Sequence, residues 1–572
     1  MDWSPVKRFA ILTTIAAATV ALAACGSASG PRSDRTAAPS AEGGGTPAGA
    51  SGGTLITRAT AAPPGSPDPQ INYSQQEWQF LIMTHDGLVG FKRAGGAEGT
   101  KIVPDLAAAI PTPTEGGRTW RFTLRPGIRF SDGKPVTARD VQATFERMFK
   151  LRSSPNAGTW YGVIAGAASC IERPKTCDLS HGVAVDGDAV TFHLTRSDPE
   201  FLQKLAMPFA FVLPASTPAR SAQIPPPGTG PYKWMEYSPQ TRIKIVRNPY
   251  FREWSKDAQP AGLPDAIEQR FGLTVDAAVT QVAHGHVDWS YDPIPADRLP
   301  ELDERYGDQL HVNPVSSTWY FAFNTRVPPF NNAKARQAIN FATDRAALVK
   351  IFGGPQLATP TCQVLPPNFP GFARYCPYTA NPGQKWTAPD LANARRLVRE
   401  SGTAGARVKV TSDTTEIGKS LGTYFVDLLD KLGYRSSAQF LSPSVQYGYS
   451  ANSKNRAQLS FGSWLADYPA ASDFLQVLLG CGSFQPSSAS NPNLAAFCDR
   501  GVQARMDRAG AVGAVDPQAA NRMWASADRA VTDRAPWVAM FNPTIVDFVS
   551  KRVRNVQFSP QWFFLLDQAS VS

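Results

Sequence analysis

The sequence predicts an α/β protein built from more than one lobe. Strand-like and helix-like periods alternate along most of its 572 residues, which is the pattern of layered α/β lobes. The roughly 520 residues that follow a low-complexity N-terminal stretch exceed what one hydrophobic core organises, so two or three lobes are expected. No self-similarity at solenoid or propeller periods is present, which sets those architectures aside.

The chain opens "MDWSPVKRFAILTTIAAATVALAACGSASG". Lys7 and Arg8 form a short basic region, and Phe9–Ala23 is uncharged and apolar or small. That run is shorter than the ~20 residues a membrane-spanning helix needs. It ends in "LAAC", Leu22–Cys25, which resembles the bacterial lipobox. There small residues let the signal peptidase close on the backbone, and the Cys25 thiol takes the lipid. An ordinary secretory cleavage with an incidental cysteine is the alternative; position, spacing and the following tail favour the lipoprotein. Residues 1–24 are therefore expected to be a signal peptide and 25–53 a tether, since Gly26–Gly53 has no aliphatic side chain larger than alanine and cannot nucleate a core. A lipid and a leash would hold the remainder at the extracytoplasmic face of the cell membrane.

Beyond the tether, "TWRFTLRPGIRFSDG" alternates through Trp120, Phe122 and Leu124, turns, and resumes at Ile128 and Phe130 as a hairpin-like signal. "TARDVQATFERMF" follows as a helix, with Thr137 and Asp140 at capping-box spacing and Val141, Phe145 and Met148 on one face. "DAVTFHL", "TRIKIVRN" and the aromatic "STWYFAFN" read as strands. "NNAKARQAINFATDRAALVKIF", "APDLANARRLVRESG" and "SLGTYFVDLLDKLG" read as amphipathic helices, the last two stopping at Gly402 and Gly433. "STWYFAFN" and "QWFF" are read as core rather than as a ligand platform.

Setting Cys25 aside, the remaining cysteines fall in three local couples, Cys170 and Cys177, Cys362 and Cys376, and Cys481 and Cys498. Proximity predicts those bridges in an oxidising compartment, although six cysteines allow fifteen connectivities. The couples are far apart and contain no C-x-x-C, so no metal site is expected from them. The formal net charge of +10 is modest for this length. No run of five like charges or basic helix face points to nucleic acid.

Enzyme-like motifs are present but poorly placed. "GKSLG", Gly418–Gly422, fits the nucleophile-elbow spelling, yet polar "TSDTTEI" separates Ser420 from the strand "RVKV". The same "GKS" lacks the glycine a phosphate loop needs, because Asp413 stands there. His284 and His286 could share a face, but a metal needs a further ligand. No cofactor and no catalytic residue are expected.

Several stretches together resemble the family 5 extracellular solute-binding proteins of ABC importers, the peptide and nickel binders. They are "SPDPQ", "THDGLVGF", "VPDLAAAI", "FTLRPGIRFSDGKPVTARDVQATFERM", "GTGPYKW", "AHGHVDW", "FAFNTRVPPFNNAKARQAINFATDR" and "NPTIVDFVSKRVRNV". The resemblance runs from about Asp68 to Phe564. It implies a bilobal, type II periplasmic-binding-protein fold with an extra small domain, and hinge closure on ligand. The implied division is 54–88, 214–317 and 535–572 for lobe I, 89–213 for the small domain and 318–534 for lobe II, with crossings near Asn313–Ser317 and Thr532–Asn542. The implied role is capture of di- or oligopeptides by a monomer that delivers them to importer permease subunits. Nickel chelates, oligosaccharides, opines or haem are alternative solutes, and a secreted hydrolase is the alternative class. The "HGH" stretch corresponds to a helix end leading into a short strand.

The resemblance also assigns a role within "GSWLADYPAASDFL". Trp464, Asp467 and Tyr468 match the segment in which peptide-binding members set an aspartate against the ligand's α-ammonium. A peptide of variable sequence offers only backbone and termini as constants, so a fixed carboxylate can grip the ammonium while backbone groups pair with the extended chain. Trp464 and Tyr468 could add cation–π attraction. A solvated turn or a helix-capping carboxylate is the alternative for Asp467, and Asp473 is expected to be structural.

Overall fold

The computed structural model describes residues 51–571 apart from 64, 152–155, 490, 514 and 515. The expected signal peptide, Cys25 and the expected tether up to residue 50 lie outside the described residues. Among those described, no helix is long and apolar enough to cross a membrane.

Two large sheets organise the chain. The first has the order Trp289–Ser290, Thr54–Arg58, Ala266–Arg270, Arg242–Arg247, Tyr232–Ser238. Its strand "TRIKIVRN" turns Ile243 and Ile245 into the core. The second has the order Leu310–Pro314, Trp537–Phe548, Ser317–Phe323, Leu459–Leu465, Arg407–Asp413, Arg435–Leu441, with Ala358–Pro360 also paired to Trp537–Phe548. "STWYFAFN" is central here: Phe321 and Phe323 enter one core, while Tyr320 and Ala322 enter the core on the opposite face. Side chains alternate across a strand, and both faces of this one are covered. A smaller sheet, Thr119–Thr123, Ala189–His193, Val183–Asp186, is not hydrogen-bonded to either but shares the hydrophobic core of the first.

The 12-residue strand Trp537–Phe548 joins two regions. Its first half pairs with Ser317–Phe323, with Trp319 opposite Phe541, and its second half pairs with Leu310–Pro314. Asn542 Nδ2 pins the junction by donating to the Ser317 carbonyl at 2.9 Å and to Thr318 Oγ1 at 3.0 Å.

Local expectations meet the structure unevenly. The capping box forms: the Thr137 N–H donates to Asp140 Oδ2 at 2.8 Å, and Val141, Phe145 and Met148 are buried along helix Ala138–Lys150. The hairpin-like signal is corrected. Thr119–Thr123 does not fold back onto Ile128–Phe130 but pairs with Ala189–His193, while Arg129 bridges Pro135 locally. "NNAKARQAINFATDRAALVKIF" is two helices, Ala333–Ala342 and Arg345–Phe352, because Asp344 caps the second by accepting from the Ala347 N–H. "SLGTYFVDLLDKLG" belongs to a helix that begins earlier, at Glu416, with Thr415 as its cap.

"GTGPYKW" shows why its glycines are there. A Cβ on Gly228 or Gly230 would run into the carbonyl oxygen of Thr84 or Met83, at the end of helix Gln75–Thr84. The bonds Cys170–Cys177, Cys362–Cys376 and Cys481–Cys498 are formed, each between cysteines close in sequence.

Candidate functional site

The loop between strand Leu459–Leu465 and helix Ala471–Leu479 carries Asp467 and Tyr468. Its shape is set from within. The fully buried Asp473, in the first turn of the helix, accepts at Oδ2 from the Asp467 N–H at 3.0 Å and from Trp464 Nε1 at 3.1 Å. One carboxylate oxygen thereby ties the strand end, the loop and the helix together. Burial, and then the nearby Asp467 charge, hold the Asp473 carboxyl well above the usual carboxylate range.

The Asp467 side chain is 6 % exposed. Both carboxylate oxygens accept from the Tyr73 hydroxyl, at 2.7 Å each, and Gln561 Nε2 donates to the Asp467 carbonyl at 2.5 Å. No cation offsets this charge among the described residues, and burial pushes the carboxyl up to about 7 against the pull of the Tyr73 hydroxyl. A carboxylate can accept several more hydrogen bonds than a single phenol supplies. It is a buried acid short of positive charge.

Three stretches of chain distant in sequence meet here. Tyr468 is buried edge-on against Trp160, with ring centroids 5.5 Å apart. Among the described residues it is the one buried apolar side chain between Trp289 and Val549 that joins the core of the first sheet and the small sheet. Trp160 packs on Phe209, which with Trp78 also borders Tyr73. Tyr73 itself stays 48 % exposed. Behind Tyr468, Lys204 pairs with Asp198 at 2.6 Å, while Glu200 is raised by burial and by Asp198.

The structure thus brings Trp464, Asp467, Tyr468 and Asp473 together around one strand–loop–helix junction, and it adds Tyr73, Gln561 and Trp160, which the sequence did not single out. The other motifs fall elsewhere. Ser420 lies within helix Glu416–Lys431, and Gly418 is demanded by the closely packed Asp413. His284 caps helix Val275–Ala283 and leads through Gly285 and His286 towards Trp289–Ser290. Among the described residues no group of three His, Cys, Asp or Glu side chains is arranged to hold a metal. Of "QWFF", Trp562 and Phe564 are core, and Gln561 reaches the Asp467 loop.

Residues 101–486 match the family model described as bacterial extracellular solute-binding proteins, family 5 (middle). The chain belongs to this family. Family 5 solute-binding proteins bind and do not catalyse. This family 5 protein is 24 % identical over 535 residues to the "Probable di/tripeptide-binding protein 5" of Pseudomonas aeruginosa (strain UCBPP-PA14), a match spanning 89 % of this chain and 94 % of that one. It is 24 % identical over 506 residues to the "Probable deoxycholate-binding periplasmic protein YgiS" of Escherichia coli (strain K12), spanning 86 % and 88 %. The structure of "Clavulanic acid biosynthesis oligopeptide binding protein 2" superposes with a TM-score of 0.81, covering 91 % of this chain and 96 % of that one at 24 % identity. The fold is therefore the three-domain type II binding-protein fold, and this family 5 protein is extracytoplasmic.

Proposed function

We propose that this protein is a lipid-anchored carrier of di- or oligopeptides, which it holds between two lobes and delivers to the permease subunits of an ABC importer. In this reading 54–88, 214–317 and 535–572 form lobe I, 89–213 the small domain and 318–534 lobe II. The long strand Trp537–Phe548 and its neighbours carry the connection between the lobes. Asp467 holds the peptide's α-ammonium, and Trp464 and Tyr468 wall the same seat.

The observation that carries the reading is the Asp467 carboxylate itself: buried, bonded among the described residues by a phenol alone, and placed where three stretches of chain converge. A protonated amine supplies the charge this group lacks. The Pseudomonas aeruginosa relative is named as a probable di/tripeptide-binding protein, which supports a peptide. The Escherichia coli relative is named for deoxycholate, an anion, which would have no use for a carboxylate seat.

Native mass spectrometry of the soluble part, purified without denaturation, tests the proposal. A spread of adducts with peptide masses is expected; a single non-peptide adduct would discard it. Removing one partner of a buried charge pair costs roughly 3–5 kcal/mol, so Asp467→Ala should weaken peptide binding by about two to three and a half decades. Calorimetry showing a change within threefold would end the ammonium-anchor role.

A further inference from the structure

Tyr73 and Asp467 are 394 residues apart in sequence, yet the phenol is centred on both carboxylate oxygens at 2.7 Å. That is the position from which a single cationic donor would serve this group best, because a donor between two oxygens gains from both. The two side chains differ sharply in freedom. Asp467 is fixed: its N–H is held by Asp473, its carbonyl by Gln561, and it is buried. Tyr73 is nearly half exposed and packs its ring against Trp78 and Phe209 at tilted contacts of 5.5 and 5.6 Å, with its hydroxyl turned inward onto Asp467. Tyr73 has solvent on one side into which it can swing once its hydroxyl is replaced on the acid, whereas the acid is held in place on both sides of its backbone.

We infer that Tyr73 is a built-in competitor for the Asp467 seat: its hydroxyl occupies the place of a ligand's ammonium, and a ligand binds by displacing it. The inference rests on the ammonium-anchor reading of Asp467. Its chemistry is an exchange of one neutral donor for one cationic donor on the same two oxygens, with the phenol released to water. A ligand without a protonated amine gains nothing from the exchange and leaves the phenol in place. Tyr73 would therefore set selectivity for free amino termini as well as lower affinity overall, which makes it a specificity-determining residue.

The experiment compares trialanine with N-acetyl-trialanine by calorimetry on the wild-type soluble domain, Tyr73→Phe, Asp467→Asn and the double variant. Tyr73→Phe keeps the ring and its packing and removes only the competing hydroxyl. Trialanine should then bind about tenfold tighter to Tyr73→Phe than to wild type, the scale of one hydrogen bond to a charged group. N-acetyl-trialanine should be unaffected, and the gain should vanish in the Asp467→Asn background. If trialanine is strongly preferred over its acetylated form but Tyr73→Phe binds it equally or more weakly, displacement is overturned while the anchor stands. If the two peptides bind alike, or neither binds, the anchor reading falls and takes this inference with it. A crystal structure of the trialanine complex gives a second readout. The Tyr73 hydroxyl should leave hydrogen-bonding range of Asp467, and retention of both 2.7 Å contacts would overturn the proposal.

Discussion

Asp467 is a group whose charge is conditional. Burial raises its carboxyl to about 7, from the 3.8 of an ordinary aspartate. An acid with a raised folded-state pKa keeps its proton in the folded protein after the unfolded chain has lost it, so it erodes stability as pH rises from about 4 to 7. For ligand capture the sign is opposite: only the ionised form attracts an ammonium. Affinity for a free-amine peptide should fall towards tenfold per pH unit below about 7. Above ~8 the peptide's own amine loses its proton, so the optimum lies between those limits. Titration calorimetry from pH 5 to 9 should give a bell-shaped affinity profile, whereas Asp467→Asn should lose the acidic limb. An acidic limb that persists in that variant would assign the titration to another group. At this scale the sequence was half legible. Asp467 was singled out from its neighbours and Asp473 only as a structural acid, without its place in the first turn of a helix. Tyr73 and Gln561 were not, because they reach Asp467 across 394 and 94 residues, and no local pattern encodes such a contact.

Elements were most legible where a residue answers to its near neighbours. The Thr137–Asp140 cap needs only a spacing of three, and it formed as expected. The hairpin signal failed for the converse reason. Strand Thr119–Thr123 has the right alternation, but its partner, Ala189–His193, lies beyond an intervening helical stretch, and alternation does not name a partner. The glycines of "GTGPYKW" belong to the same scale, since they let this segment lie directly on the end of helix Gln75–Thr84. Gly228→Ala would press a methyl group onto the Thr84 carbonyl oxygen and the His85 ring. Overpacking of this kind costs about 1–3 kcal/mol and sometimes more, and backbone cannot yield as a flexible side chain does. Gly228→Ala should lower the thermal midpoint by several degrees, measurable by calorimetric scanning. An unchanged midpoint would mean that the segment can shift away from the helix.

The whole molecule was legible chiefly through many ordered partial matches, since none of its segments alone names the fold. Its cross-links act within this architecture rather than across it. Cys481 and Cys498 lie 17 positions apart in sequence, just after the helix that follows the Asp467 loop. A closed loop of that size is worth about 3 kcal/mol on chain-entropy grounds. Replacing both cysteines by serine should reduce resistance to denaturant by about that amount while leaving peptide affinity within threefold. A large loss of affinity at full folding would mean that this bridge also shapes the site.

The long strand Trp537–Phe548 has a consequence for how the protein can be taken apart. Because Trp319 and Phe541 face each other across neighbouring strands, the chain leaves for its middle segment and comes back at almost the same point. Chain ends that close together are what circular permutation and domain insertion require. The middle segment is in effect a cassette: excised with its two bordering strands, it starts and finishes side by side. On the proposed lobe division, a fluorescent reporter spliced in at that border would sit at the junction of the two lobes.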